Sequence, residues 1–370
     1  MKGTLLITGP VACLVAVAGF FILRDEPPPA PGQAEAPGIV HAPAPPPSAP
    51  DKARFDWPTP YPFFENKGAP DEAFLQPTVS GNPTSALYGM TRSGGAQFHE
   101  GLDIRPVARD RRGEATDAVF AALSGRVAYA NPHANGAYGR YVVLEHPLGG
   151  VTLYTLYAHL ASVSPALRAG ERIEAGATLG VLGRSDARGG FPRERAHLHL
   201  EAGLRLGDSF NTWYASRRYP DANKHGNFNG FNLAGLDPLA LLKLARDNGG
   251  ELGHREIAEW VTNTPVAVTV ETPSRGLPGI LRRNPALLAG ETPSRAPAGW
   301  RIGFTAMGVP VRWEPLGAPP PSLRIVSVAD GEAGREARRR GLYTTRTVKR
   351  TPRHMPGTTL ETALALALQN

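Results

Sequence analysis

The run RAHLHLEAGL, residues 195–204, constrains this chain more than any other stretch. Its apolar residues fall on every second position, which fits a β-strand. His197 and His199 therefore project from one sheet face, and Leu198 and Leu200 from the other, toward a core. Related runs precede it: AVFAALSGRVAYA, GRYVVLEH, VTLYTLYAHL and ATLGVLG, each bounded by glycine turns. Period-two alternation with regular turn signals predicts an antiparallel, mainly β domain between about Phe55 and Arg246. With 42 glycines and 37 prolines among 370 residues, an all-helical chain is excluded.

Two imidazoles on one strand face raise the question of a metal. Upstream, QFHEGLDIRP at residues 97–106 sets His99 four positions before Asp103. If sheet pairing brings this segment beside His197 and His199, the donors exceed what a tetrahedral zinc requires. A catalytic zinc takes three protein ligands and keeps its fourth position open. His159 closes the β run that begins at Val151 and is a further candidate. Glu201 continues the face of His197 and His199, and two readings stay open for it: a carboxylate that orients an imidazole, or a solvated strand residue. His41, His133, His146, His225, His254 and His354 stand in linker or turn contexts without a partner motif and receive no role.

The succession PTSALYGMTR, FHEGLDI, GRVAYA, YGRYVVLEH, TLYTLYAHL, AGERIEAGATLGVLG, HLHLE and LDPLALL resembles peptidase family M23, the lysostaphin-type or LytM-type zinc metallopeptidases of bacterial cell wall. The resemblance spans residues 76–246 in order. It implies zinc held by His99, Asp103 and His199, with His159 and His197 as catalytic histidines flanking the metal. It also implies hydrolysis of peptidoglycan peptides as the activity. Two segments depart from the family pattern. GRSDARGGFPRERA at 183–196 replaces a short turn, its arginines placed to contact an anionic stem peptide. The aromatic, asparagine-rich insertion at 205–232 precedes LDPLALL, and both long loops are expected to line a groove.

Outside this domain the chain changes character. Residues 4–23 carry no charge and have the length of a membrane-crossing helix, so residues 1–24 are expected to be a signal anchor. Ala16-Val17-Ala18 offers the alternative of a cleaved signal peptide. The proline- and alanine-rich stretch 25–54 is expected to be a semi-rigid stalk, placing the peptidase domain, 55–248, in the periplasm or extracytoplasmic space as a single-pass protein of the cell membrane. The lone Cys13 allows no intramolecular disulfide. Residues 249–370 are expected to form a small, basic, β-rich or partly disordered extension of unknown function, in which ETPSR occurs twice. The net charge of +7 and the basic run 334–354 favour contact with an anionic polymer or lipid, and no specific nucleic-acid partner is expected. Besides a zinc endopeptidase, two further functions fit the sequence: a catalytically inactive regulator of another wall hydrolase, and a wall-binding scaffold.

Overall fold

A computed structural model describes residues 51–92 and 97–369. The expected anchor and nearly all of the expected stalk lie outside the described residues. Among the described residues no helix is long and apolar enough to cross a membrane. The expected stalk region does include order at its end, where Lys52–Arg54 pairs antiparallel with Glu251–Gly253.

A seven-stranded antiparallel sheet carries the domain. Its main path runs Arg172–Ile173, Gly125–Asn131, Arg140–Leu148, Val151–Leu160, Leu198–Arg205 and Leu233–Leu236. The Leu198–Arg205 strand meets Val151–Leu160 along one edge. Along its other edge it meets two partners in succession, Leu102–Ile104 opposite Leu198–Leu200 and Leu233–Leu236 opposite Ala202–Arg205. The alternation read from the sequence holds on both faces. Leu198, Leu200 and Leu204 enter the main core with Leu102, Ile104, Tyr157 and Leu160. Each such aliphatic side chain contributes about 1.5–3 kcal/mol through burial. The opposite face holds a second apolar cluster of Tyr141, Val143, Tyr154, Leu156 and Ala158, against which Tyr129, Tyr138, Phe228 of the 205–232 insertion and Leu233 pack. His199 and Glu201 share this second face, directly across from Ala158 and Leu156.

The C-terminal region is folded and joins the same core. Val268–Thr272, Gly299–Phe304, Pro310–Leu316 and Arg324–Val328 form a four-stranded sheet, with Trp300 and Trp313 packed edge to face at 5.7 Å. The basic run expected as a partly disordered tail instead forms the Gly331–Arg339 helix and the hairpin of Tyr343–Val348 with Thr351–Pro356. The helix is held by Glu332 and Glu336, which pair with Arg335, Arg339 and Arg340 and neutralise much of its charge. The two ETPSR sequences are not equivalent: Glu271 is buried between Arg301 and Arg324, whereas Glu291 is exposed in a loop. Asn284 ties the region to the seven-stranded sheet, accepting from the Thr152 amide at 2.7 Å.

His146 is a core residue. Its Nδ1 donates to the Ser124 carbonyl at 2.8 Å, and its Nε2 accepts from the Thr155 hydroxyl at 2.8 Å. Burial pushes its pKa down to about 4 from the ordinary 6.5. Below pH 6.5 the unfolded chain therefore takes up a proton that the folded chain refuses. The stability is complete above 6.5 and is lost as pH falls toward 4, by about 3 kcal/mol in all. His146→Gln should lower stability at pH 7 and flatten the acid-side decline in denaturant midpoint. An unchanged decline in the variant would contradict this account.

Candidate metal centre

Strand pairing assembles the centre. Asp103 lies directly across from His199 in the antiparallel pair, so residues 96 apart in sequence meet side by side. The Asp103 strand is braced on its far side, where the Gln76 amide donates to the Asp103 carbonyl at 2.9 Å. Just before it, Gly101 leaves room for the neighbouring strand, since a Cβ there would stand 2.3 Å from the Leu200 carbonyl oxygen. His99 sits in a short turn held by its own backbone, its amide on Met90 and its carbonyl accepting from Gly89.

The three side chains His99, Asp103 and His199 are buried, with one donor atom from each within 4.8 Å of the others. Asp103 Oδ1 is 3.0 Å from His99 Nε2 and 3.0 Å from His199 Nδ1, and the two imidazole nitrogens are 3.1 Å apart. Outer partners fix which nitrogens face inward. His99 Nδ1 donates to the Leu87 carbonyl at 2.9 Å, and His199 Nε2 donates to Glu201 Oε1 at 2.9 Å. With those protons committed, two nitrogen lone pairs and a carboxylate oxygen converge on one point. Three acceptors at such distances repel unless a cation or a proton lies among them. Ligand atoms about 2.0–2.1 Å from a tetrahedral zinc stand about 3.3 Å apart, within a few tenths of an ångström of the spacing observed. The residues present fit a metal ion.

Electrostatics point the same way. Burial favours the neutral form of Asp103, but His197, His99 and His199 outweigh it and hold the carboxyl well below the usual carboxylate range. For His199, burial is overcome by the hydrogen bonds that its ring donates to Asp103 and Glu201, which raise it to about 10. Without a metal, the centre therefore retains a proton on His199, and metal and proton compete for the same Nδ1.

The two remaining histidines border the cluster. His197 Nδ1 donates to the Arg195 carbonyl at 2.7 Å, leaving Nε2 3.6 Å from Asp103 Oδ1. His159 lies where the register of its strand shifts against Arg140–Leu148, a β-bulge, and takes a left-handed φ of 62°. Bulges re-aim side chains, and here the His159 ring comes to 4.8 Å from that of His197 and 5.8 Å from that of His199. His159 Nδ1 donates to the Ser185 carbonyl at 2.9 Å. Burial lowers both His159 and His197, so each is a neutral base with Nε2 free of the backbone. All five candidates from the sequence are thus brought together.

Three supporting residues were not assigned from sequence. Glu201, left open there, is buried: besides His199 it accepts from the hydroxyls of Tyr138 at 2.6 Å and Tyr154 at 2.9 Å. Arg92 binds the second oxygen of Asp103 at 2.5 Å and is itself held by the Ser85 carbonyl. Arg340, from the C-terminal region, donates to the Gly89 carbonyl at 2.8 Å and lies 3.8 Å from the Phe98 ring centroid, gripping the turn that carries His99. Alternation gave a signal for Glu201, but nothing in the sequence linked Arg340 to a site so distant along the chain. The loop arginines behave differently from expectation. Arg184 and Arg193 both pair with Glu114, and Arg195 lies over Phe191, so these three stabilise the loop.

Residues 97–212 match the model of peptidase family M23. No curated protein matches the chain. Among solved structures, the catalytic domain of the antimicrobial peptidase lysostaphin from Staphylococcus simulans is similar at 21% identity, over 42% of this chain and 89% of that one, with a TM-score of 0.28. A zinc-containing peptidase from Vibrio cholerae is similar at 20% identity, over 40% and 36%, with a TM-score of 0.26. A putative glycyl-glycine endopeptidase LytM from Ruminococcus gnavus reaches 28% identity over 30% and 41%, with a TM-score of 0.24. The chain thus spans well under half of the latter two, and TM-scores at this level carry no weight for function.

Glu201 fixes the His199 tautomer, so Glu201→Gln should weaken zinc binding by about 10- to 100-fold, the usual scale for such a partner. Competition with a chelating dye on the full chain measures this. Unaltered affinity would show that Glu201 does not govern the orientation of His199.

Proposed function

With residues 97–212 assigned to peptidase family M23, we propose that this chain is a zinc-dependent endopeptidase that hydrolyses peptides of bacterial peptidoglycan. The observation that carries the reading is the buried convergence of His99, Asp103 and His199 on one point, with the free Nε2 atoms of two neutral histidines at its border. His99 Nε2, Asp103 Oδ1 and His199 Nδ1 would hold the ion. Zinc bound there supplies a Lewis acid that polarises the amide carbonyl and lowers the pKa of water. The single carboxylate leaves the centre a net charge of +1, so its electrophilic character is retained.

The chain's own residues handle the protons. His197, anchored through Nδ1 to the Arg195 carbonyl, accepts a proton at Nε2 from the attacking water. His159, anchored through Nδ1 to the Ser185 carbonyl, also presents an unprotonated Nε2, and it passes to the departing amine only a proton it has first taken up, for which the one removed from water is the source. Their depressed pKa values keep both unprotonated near neutral pH, ready to take up a proton during turnover. Arg92 occupies the outer oxygen of Asp103 and leaves Oδ1 for the cluster. Tyr138 and Tyr154 fix Glu201, and Glu201 fixes His199.

The uncharged run at 4–23 supports an anchored protein whose peptidase domain lies outside the cytoplasm, where its substrate is found. Protease added to cells with a permeabilised outer envelope should degrade the domain while sparing a cytoplasmic control. Protection of the domain would overturn this topology without touching the chemistry.

For the chemistry, purified peptidoglycan digested with the full chain in mild detergent should release peptide fragments identifiable by mass spectrometry. His159→Ala and His197→Ala should retain about one zinc per chain and lose activity by on the order of 100-fold or more. His199→Ala should lose both metal and activity. Absence of zinc uptake by the wild-type chain would sink the proposal, and wild-type activity in His159→Ala would remove that residue from it.

A further inference from the structure

A groove of about 1370 Å³ begins beside the metal centre, at Arg92, Phe98 and Tyr138. Two of its walls come from segments beyond the family match. One is the insertion, with Lys224 and Phe231; the other is the C-terminal helix Thr358–Ala367, with Thr358 and Thr362. The Arg340 contact with Gly89 and Phe98 fixes that second wall against the turn carrying His99.

The lining has a particular chemistry. Its arginines are already committed: Arg92 to Asp103, Arg339 to Glu332 and Glu336, and Arg340 to Glu336. That leaves Lys224 against Asp221 and Glu100, with no positive excess to attract a polyanion. Yet hydrogen-bonding groups are plentiful. The side-chain amide nitrogen of Asn135 and the hydroxyls of Tyr214, Thr358 and Thr362 have no hydrogen-bond partner among the described residues. Phe231 stands 51% exposed, an unusual position for so large an apolar ring. It is not loose: its plane lies 4° from that of Tyr219, with the centroids 6.2 Å apart. Recognition of a peptide as an added strand is hindered at the edge strand Leu233–Leu236, because the Gly235 carbonyl is taken by the Tyr88 hydroxyl.

We propose that this groove binds a neutral sugar chain, stacking the C–H face of a pyranose ring on Phe231 while the free amide and hydroxyl groups engage its hydroxyls. A braced aromatic platform surrounded by uncharged donors and acceptors suits a ligand that is apolar on its ring faces and polar at its rim. In peptidoglycan the peptides are attached to a glycan. The groove would therefore hold the polymer while the adjoining centre acts on the peptide, so the placement of the sugar rests on the peptidase reading. Sugar binding itself does not.

The test is a calorimetric titration of the full chain, in mild detergent, with a hexamer of N-acetylglucosamine. Dextran sulfate and a free stem peptide are titrated in parallel. The wild-type chain should bind the hexamer saturably and show no comparable binding of dextran sulfate. Phe231→Ala should weaken binding by about fivefold to tenfold, the scale of one aromatic contact. Thr362→Trp, which fills the groove from the C-terminal wall, should abolish it, and zinc content should stay unchanged in both variants. Three results would overturn the proposal: no saturable binding by the wild type, wild-type affinity in both variants, or loss confined to the peptide or the anionic polymer. The hexamer has no scissile peptide and the readout is binding, so the outcome is independent of whether the chain hydrolyses peptides.

Discussion

The pairing of Leu198–Leu200 with Leu102–Ile104 is the contact on which the centre depends. It is short, three residues on each side, and its leucines and isoleucine are driven together by burial in the main core. The pleat then sends His199 and Asp103 to the opposite face as cross-strand neighbours. A slip of one strand by one residue would turn its own member of the pair into the apolar core and part it from the other, so the hydrophobic pattern that sets the register also sets the chemistry. Gly101 belongs to this constraint, since any side chain there would strike the Leu200 carbonyl and push the strands apart.

Around that pair, each functional nitrogen has its opposite nitrogen tied down. Leu87, Arg195 and Ser185 supply backbone carbonyls to His99, His197 and His159, and Glu201 supplies a carboxylate to His199. Backbone acceptors hold three rings in one tautomer without adding charge. The exception is informative, because Glu201 adds a negative charge behind the ligand that also faces Asp103. That arrangement raises His199 to about 10 in the metal-free centre and makes it a strong donor once the proton is displaced. Loading with metal is therefore favoured as pH rises.

Much of this was legible in the sequence because it follows from period-two patterning. Alternation in RAHLHLEAGL assigns the faces of His197, Leu198, His199 and Leu200, and the ordered motifs add His99, Asp103 and His159. Alternation did not reveal that both faces of this strand are buried. The second face is covered by Tyr138 from a turn and Phe228 from the insertion, segments that carry no readable period. Glu201 remained ambiguous for that reason: on a solvated face it would be an ordinary strand residue, and only the tyrosines above it make it a buried partner. The bulge at His159 was equally hidden, since a one-residue register shift leaves no compositional trace. The basic run 334–354 misled because charge density normally signals solvation. Here acidic residues three, four and seven positions away neutralise the helix, and the one guanidinium turned inward finds a carbonyl and an aromatic ring.

That inward arginine changes what the C-terminal region is. A separate appended module would meet the seven-stranded sheet through a polar, replaceable surface, but here a single apolar core includes residues from Ala53 to Ala367. Arg340 reaches the turn at Gly89, and the same turn supplies the Leu87 carbonyl that orients His99. Loosening the C-terminal helices would therefore release His99 from the cluster and one wall of the groove together. The region is bound into the geometry of the metal centre by a chain of contacts no longer than a few residues: Glu336 to Arg340, Arg340 to Gly89, and Gly89 to His99.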